Sequence, residues 1–171
     1  YAETIASLKA DRVRFCATSA ARDASNAEDF ATAVEAIVGV RPEILSGAEE
    51  AQASFVGATR GLGSAGDVLV MDIGGGSTEL VVGCQDRVTW ATSLDVGSVR
   101  MTERFLMTDP PTADEIQECT AYLRDVLRGA AAELSPMTTL VGVAGTITTV
   151  AAQALHLPAY DRAVIHGARL T

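Results

Sequence analysis

The sequence is short of positive charge, of cysteine pairs and of long hydrophobic runs, and each shortage narrows what the chain can be. Against 22 Asp and Glu there are 13 Lys and Arg, a formal net charge of −9 over 171 residues. Broad attachment to nucleic acid needs a basic footprint that neutralises phosphates, so no nucleic-acid partner is expected. Cys16, Cys84 and Cys119 are odd in number, widely spaced and free of any Cys-x-x-Cys pair. That spacing argues against a disulfide framework or a zinc knuckle. All three are expected as packed thiols in a reducing cytoplasm, because free Cys behaves as a small hydrophobe. The longest apolar stretches, such as 68–71 and 80–82, fall far short of the ~20 residues that span a bilayer, and no charged-then-apolar leader opens the chain. No membrane partner is expected. His156 and His166 lack the partner spacing of a metal pair or a triad, and Ser19, Ser77 and Ser98 lie outside any Gly-x-Ser-x-Gly elbow.

What is present is a hydrophobic content of 48% with a mean hydropathy of +0.22, enough to bury a core. An acidic balance does not exclude a phosphate substrate, since backbone N–H groups and a divalent cation can hold a polyanion against distant, screened carboxylates. Twelve of the thirteen basic residues are Arg, which suits forked phosphate contacts and is equally explained by the base composition of a genome.

Along the chain, residues 1–9 have helical apolar spacing. A β-type run at 13–17 breaks into the polar turn Thr18-Ser19-Ala20-Ala21-Arg22, a position where loops often bind ligands. Asn26 reads as the N-cap of a helix whose apolar stripe (Phe30, Val34, Ile37, Val38) ends at Gly39. A short strand at 43–45 follows, and then Ser46 and Glu49 have capping-box spacing at the head of a helix running to about Arg60. Glu50 falls in its first turn. The glycine-rich stretch 61–66 resembles a linker and marks the expected boundary between a portion at 1–60 and a portion at 61–171. Beyond it, 68–72 reads as a buried strand. Residues 79–84 and 88–93, around a turn at 85–87, read as a β-meander, so the sheet becomes mixed. Helices are expected after Gly97-Ser98 and from Thr112, which with Glu115 has capping-box spacing, to about Leu134. A strand at 140–144, a turn at Gly145-Thr146, a helix at 147–155 and a further strand at 163–165 complete the pattern. Trp90 and Tyr160 are expected to pack rather than to stack on bases.

The chemistry concentrates in Asp72-Ile73-Gly74-Gly75-Gly76-Ser77-Thr78-Glu79. Consecutive glycines let adjacent N–H groups converge on phosphate oxygens with no Cβ in the way. Ser77 and Thr78 add hydroxyl donors. Asp72 at the strand end and Glu79 across the loop are placed to organise water around Mg²⁺, a hard ion that prefers oxygen ligands and keeps several waters. A glycine-rich hairpin turn with solvated acids is the alternative.

The octapeptide resembles the second phosphate loop of the actin, Hsp70 and sugar-kinase superfamily, and its full wording resembles the Ppx/GppA phosphatases within it. The stretch Ala17-Thr18-Ser19-Ala20-Ala21-Arg22 is similar to that family's Ala-Thr-Ser-Ala-x-Arg motif. Ser46-Gly47-Ala48-Glu49-Glu50-Ala51 is similar to its Ser-Gly-x-Glu-Glu-Ala motif, and Gly142-Val143-Ala144-Gly145-Thr146 to a later glycine-rich turn. The resemblance implies an α/β fold of actin-like, ribonuclease H-like lobes, with a mixed sheet flanked by helices. The later part of the first lobe would occupy 1–60 and the first part of the second 61–171. It implies Glu50 as catalytic base and Arg22 as a phosphate-facing residue. Gly74, Gly75, Gly76, Ser77 and Thr78 would cradle phosphate, with Gly145 and Thr146 bordering the same groove and Asp72 and Glu79 serving Mg²⁺. Glu49, at the capping-box position, would keep a structural role.

The implied activity is release of orthophosphate from inorganic polyphosphate by water attack. Hydrolysis of guanosine pentaphosphate to the tetraphosphate stands nearly level with it, and a non-catalytic sensor of guanosine tetraphosphate or polyphosphate is a third reading. The resemblance also implies a homodimer at full length, and the cysteine pattern a cytoplasmic protein. The family's first phosphate loop lies upstream of anything in this sequence, so the chain reads as an internal piece that would hydrolyse little by itself.

Overall fold

The structure, a computed structural model, describes residues 1–18, 21, 24–60, 66–134 and 139–170. It divides into two compact units, Tyr1–Ala53 and Ser54–Thr171. Residues 61–65, most of the segment expected at a lobe boundary, lie outside the described residues.

The first unit contains helix α1 (Ala2–Ser7), strand β1 (Cys16–Ala17), helix α2 (Ala27–Val38), strand β2 (Glu43–Ile44) and the start of helix α3 (Gly47–Thr59). β1 and β2 are parallel, with Cys16 opposite Glu43 and Ala17 opposite Ile44, and α2 is the crossover that parallel pairing requires. Gly39 ends α2 at a φ of 80°, a left-handed conformation that costs glycine little. Asn26 holds the N-cap position without a side-chain cap bond. Only two residues of the expected run at 13–17 pair as strand. A two-residue edge cannot cover both of its faces, and Cys16 is exposed, contrary to the expected packed thiol; Cys84 is half-buried and Cys119 buried.

The second unit is built on a four-stranded sheet in the order β5-β4-β3-β6. β3 (Val68–Ile73), β4 (Thr78–Cys84) and β5 (Arg87–Leu94) form the antiparallel meander, and β6 (Thr139–Val143) joins β3 in parallel. The class is therefore α/β with a mixed sheet flanked by helices. β3 and β4 are apolar on both faces because both are covered. On one face Gly83 meets Phe55 of α3, where a Cβ on Gly83 would stand 2.7 Å from the ring, and Phe55, Val70 and Val81 are fully buried. On the other, helices α4 (Ser98–Phe105) and α5 (Ala113–Ala131) close a core of Val96, Met101 and Cys119 with Leu94, Phe105, Tyr122, Leu123 and Val126 around it. Trp90 is half-buried, its Nε1 donating to Glu133 at 3.2 Å. Tyr160, expected to pack, is 65% exposed.

Two expectations fail near the C-terminal end. Gly145-Thr146 is not a turn before a helix but the first turn of helix α6 (Ala144–Ala154), because Ala144 reverses the chain in one residue at a φ of 71°. Residues 163–165 form no strand. They belong to the single helical turn α7 (Arg162–Ile165), opened by the Asp161 carboxylate accepting from the Ala163 N–H at 2.9 Å; the cap outweighs the β-branched Val164 and Ile165.

Candidate active site

The register of the β3–β4 hairpin places Asp72 directly opposite Glu79, so both carboxylates leave the same face of the sheet. The next strand adds Ser93 opposite Glu79, and its Oγ donates to Glu79 Oε1 at 2.9 Å. Burial pushes the Asp72 carboxyl above its ordinary range, and the neighbouring Glu79 charge pushes it further. Two half-buried acids facing each other across one end of the hairpin are an arrangement that a cation would relieve.

Between them runs the loop of residues 74–77, closed by the Gly74 N–H on the Ser77 carbonyl at 3.0 Å. Its outer carbonyls are all held by α4. Ser98 N–H donates to Gly74 O at 3.0 Å, Arg100 N–H to Gly75 O at 3.0 Å, and Arg100 Nε to Gly76 O at 2.6 Å. In a trans peptide the N–H points opposite to the carbonyl of the same plane. Fixing the carbonyls of Gly74, Gly75 and Gly76 against α4 therefore turns the N–H groups of Gly75, Gly76 and Ser77 away from it. None of these three has a hydrogen-bond partner among the described residues. They form a run of oriented donors of the kind that binds anions. Gly97 makes the approach of α4 possible: a Cβ there would sit 2.5 Å from Gly75 O and 2.7 Å from Gly76 N.

Thr78 does not join this cradle as expected. It is buried, and its hydroxyl donates to Val96 O at 2.7 Å, because strand alternation turns it to the α4–α5 face.

Gly145 and Thr146, the other expected phosphate residues, come together with the loop. A groove of about 370 Å³ is lined by Ile73, Gly74, Gly75 and Ser98 on one side and by Gly145, Thr146, Thr149 and Val150 on the other. The head of the 11-residue α6 has no side-chain cap, and the Thr148 and Thr149 hydroxyls donate to Gly145 O at 3.1 and 2.8 Å, within the helix's own first turns. The first amides of α6 are thus left for solvent or an anion.

Glu50 lies in the first unit, half-buried in the first turn of α3, with its N–H donating to Ser46 O at 2.9 Å. Glu49 beside it makes the expected capping box. Its carboxylate accepts from Ser46 N–H at 2.9 Å, and Ser46 Oγ receives the Glu49 N–H at 3.3 Å. The Ser46 N–H, together with the Ser46 hydroxyl donating to the same carboxylate at 2.7 Å, holds the Glu49 carboxyl below its usual range. Arg22 lies outside the described residues. Among the described residues no three His, Cys, Asp or Glu group to hold a metal by themselves, and no helix is long and apolar enough to cross a membrane.

Comparison with known proteins identifies the family. Residues 1–170 match the Ppx/GppA phosphatase family. The chain belongs to that family. It is 44% identical over 178 aligned positions to Exopolyphosphatase 2 of Mycobacterium tuberculosis, an alignment covering 99% of this chain and 56% of that protein. Among solved structures, an exopolyphosphatase-like protein superposes with a TM-score of 0.80 at 44% identity, covering 91% of this chain and 51% of the other. The Ppx/GppA family member of Aquifex aeolicus gives 0.79 at 36%, covering 95% and 52%. The chain thus spans about half the length of the Ppx/GppA relatives it matches.

Three contributors to the site were not read from the sequence. Ser93 could have been found by counting the hairpin register outward from the turn at 85–87. Gly97 and Arg100 meet the loop across more than 20 residues, and no local pattern signals that return.

Proposed function

We propose that the natural full-length protein removes terminal orthophosphate from inorganic polyphosphate by water attack, with the loop of residues 74–77 as one phosphate cradle. The observation that carries this reading is the run of three outward N–H groups beside the Asp72–Glu79 pair. A phosphoryl group in transfer needs donors and positive charge on its oxygens and a positioned water. Gly75, Gly76 and Ser77 supply donors, the head of α6 a second set, and Arg22 a charge. Glu50 is the proposed base that orients and deprotonates the water.

Mg²⁺ fits the donor set. Two carboxylates without a third ligand make a poor all-protein cage but suit an ion that takes one or two carboxylates and fills the rest of its shell with water and substrate phosphate. Asp72 and Glu79 would hold it, with Ser93 orienting Glu79, and the ion would supply charge to the phosphate oxygens. Reducing cytoplasm is the proposed location and a homodimer the proposed assembly.

Guanosine pentaphosphate is the second substrate reading, favoured by one feature: Ile73 and Val150 give the groove an apolar wall that a nucleoside can use and a bare phosphate chain cannot. Phosphate release should be measured on both substrates with the natural protein and with Glu50→Gln. The base assignment predicts a loss of about 10²- to 10⁴-fold; near-natural turnover in the variant would refute it. Tight guanosine tetraphosphate binding without turnover on either substrate would instead favour a sensor.

A further inference from the structure

We infer that Arg100 is a positioning residue for the glycine loop, an assignment that rests on the phosphate-cradle reading. Of the three carbonyls that must face α4 for the amides to face outward, Arg100 holds two, Gly75 O through its backbone N–H and Gly76 O through Nε. The backbone bond would survive any substitution except proline. The side-chain bond, at 2.6 Å and with a charged donor, is the one hydrogen bond made by the 76–77 peptide among the described residues, and it orients that plane and hence the Ser77 N–H. The guanidinium has little else to do. Its other approach, to Asp95, is 3.7 Å long and at the surface, where ion pairs contribute little. The loop has no side chains of its own to hold it between Gly74 and Gly76, and flexible glycines bind an anion well only when something outside them fixes their conformation.

Three substitutions in the natural full-length protein separate positioning from direct charge contact. Gln carries an amide nitrogen at the same number of bonds from Cα as Arg Nε, Met places a methyl there, and Lys keeps the charge but moves the donor one atom outward. Arg100→Met should raise KM for phosphate release about 3- to 10-fold, the weight of one hydrogen bond, with kcat changed less than about 2-fold. It should also lower the ¹⁵N order parameters of the Gly76 and Ser77 amides. Arg100→Gln should restore both. Unchanged loop order in Arg100→Met would overturn the assignment, and so would rescue by Lys but not by Gln, which would make Arg100 a charge contact to substrate. The order parameters are read without ligand. A natural protein that released no phosphate would therefore count against the proposed function, while the role of Arg100 would still be decided by the loop.

Discussion

Asp72 is held in a place that suits its carboxylate poorly. It shares a strand end with Glu79, and burial together with that neighbour raises its folded pKa. A raised carboxyl pKa means that the protonated form is the better folded one. Its stabilising contribution is complete below the ordinary carboxyl range and disappears as pH rises through the raised value. At neutral pH the contribution is absent, so Asp72→Asn, neutral at every pH, should melt higher than the natural protein in the absence of divalent ions. Added Mg²⁺ should raise the melting temperature of the natural protein more than that of the variant. Calorimetry at pH 7 with and without Mg²⁺ checks both, and a variant that melts lower without metal would contradict the reading. Asp72, Glu79 and the glycines were legible in the sequence because their chemistry is local, one strand end and one loop. The placement of the Thr78 hydroxyl was not legible for the opposite reason: it answers to Val96, 18 residues away, and the motif alone does not say which face of β4 is covered.

At the scale of elements, the contact between the loop and the head of α4 decides the site. Gly97 is extended, so its need for glycine lies in the 2.5 Å that a Cβ would leave to Gly75 O, a backbone atom that cannot swing aside. Gly97→Ala should displace the loop, raising KM for phosphate release by at least as much as Arg100→Met. Gly145→Ala, whose Cβ meets nothing within 4 Å, should fold normally. Phosphate-release kinetics and thermal melting of the two variants test this; full activity in Gly97→Ala would refute it. A second element-level device is Glu115, which closes the capping box of α5 with Thr112 and also receives Thr108 Oγ1 at 2.6 Å and Met107 N–H at 3.0 Å. These donors, Thr108 foremost, hold its carboxyl down at about 2. A depressed pKa contributes stability that is present above the ordinary carboxyl value of 4.5 and is lost as pH falls through about 2. Melting curves should show a gap between natural protein and Glu115→Gln at pH 6 that narrows towards pH 2. A constant gap would contradict it. Helices and strands with strong periodicity were readable, as was the Thr112–Glu115 box. The short strand at 43–45 was readable too, but two other short elements came out differently: among the described residues β1 pairs only with β2 and is cut to two residues, and α7 is made by the Asp161 cap rather than by any period.

For the whole molecule, the sequence motifs at 46–51, 72–79 and 142–146 pointed to one family in order along the chain, and the family match over residues 1–170 agrees. What they could not convey is how the parts of the second unit meet, since the groove joins residues 73–75 to residues 145–150 through the parallel pairing of β3 with β6. That pairing sets the loop and the head of α6 at neighbouring strand ends, which is why a glycine loop and a helix start 70 residues apart line one space. The most direct test of the central claim is orthophosphate release from polyphosphate by the natural full-length protein and its Asp72→Asn variant across a Mg²⁺ titration. If the loop of residues 74–77 and its two acids form a metal-assisted phosphate site, release by the natural protein should depend on Mg²⁺ and fall about 100-fold in the variant. Release that needs no divalent ion, or that Asp72→Asn leaves intact, would contradict it.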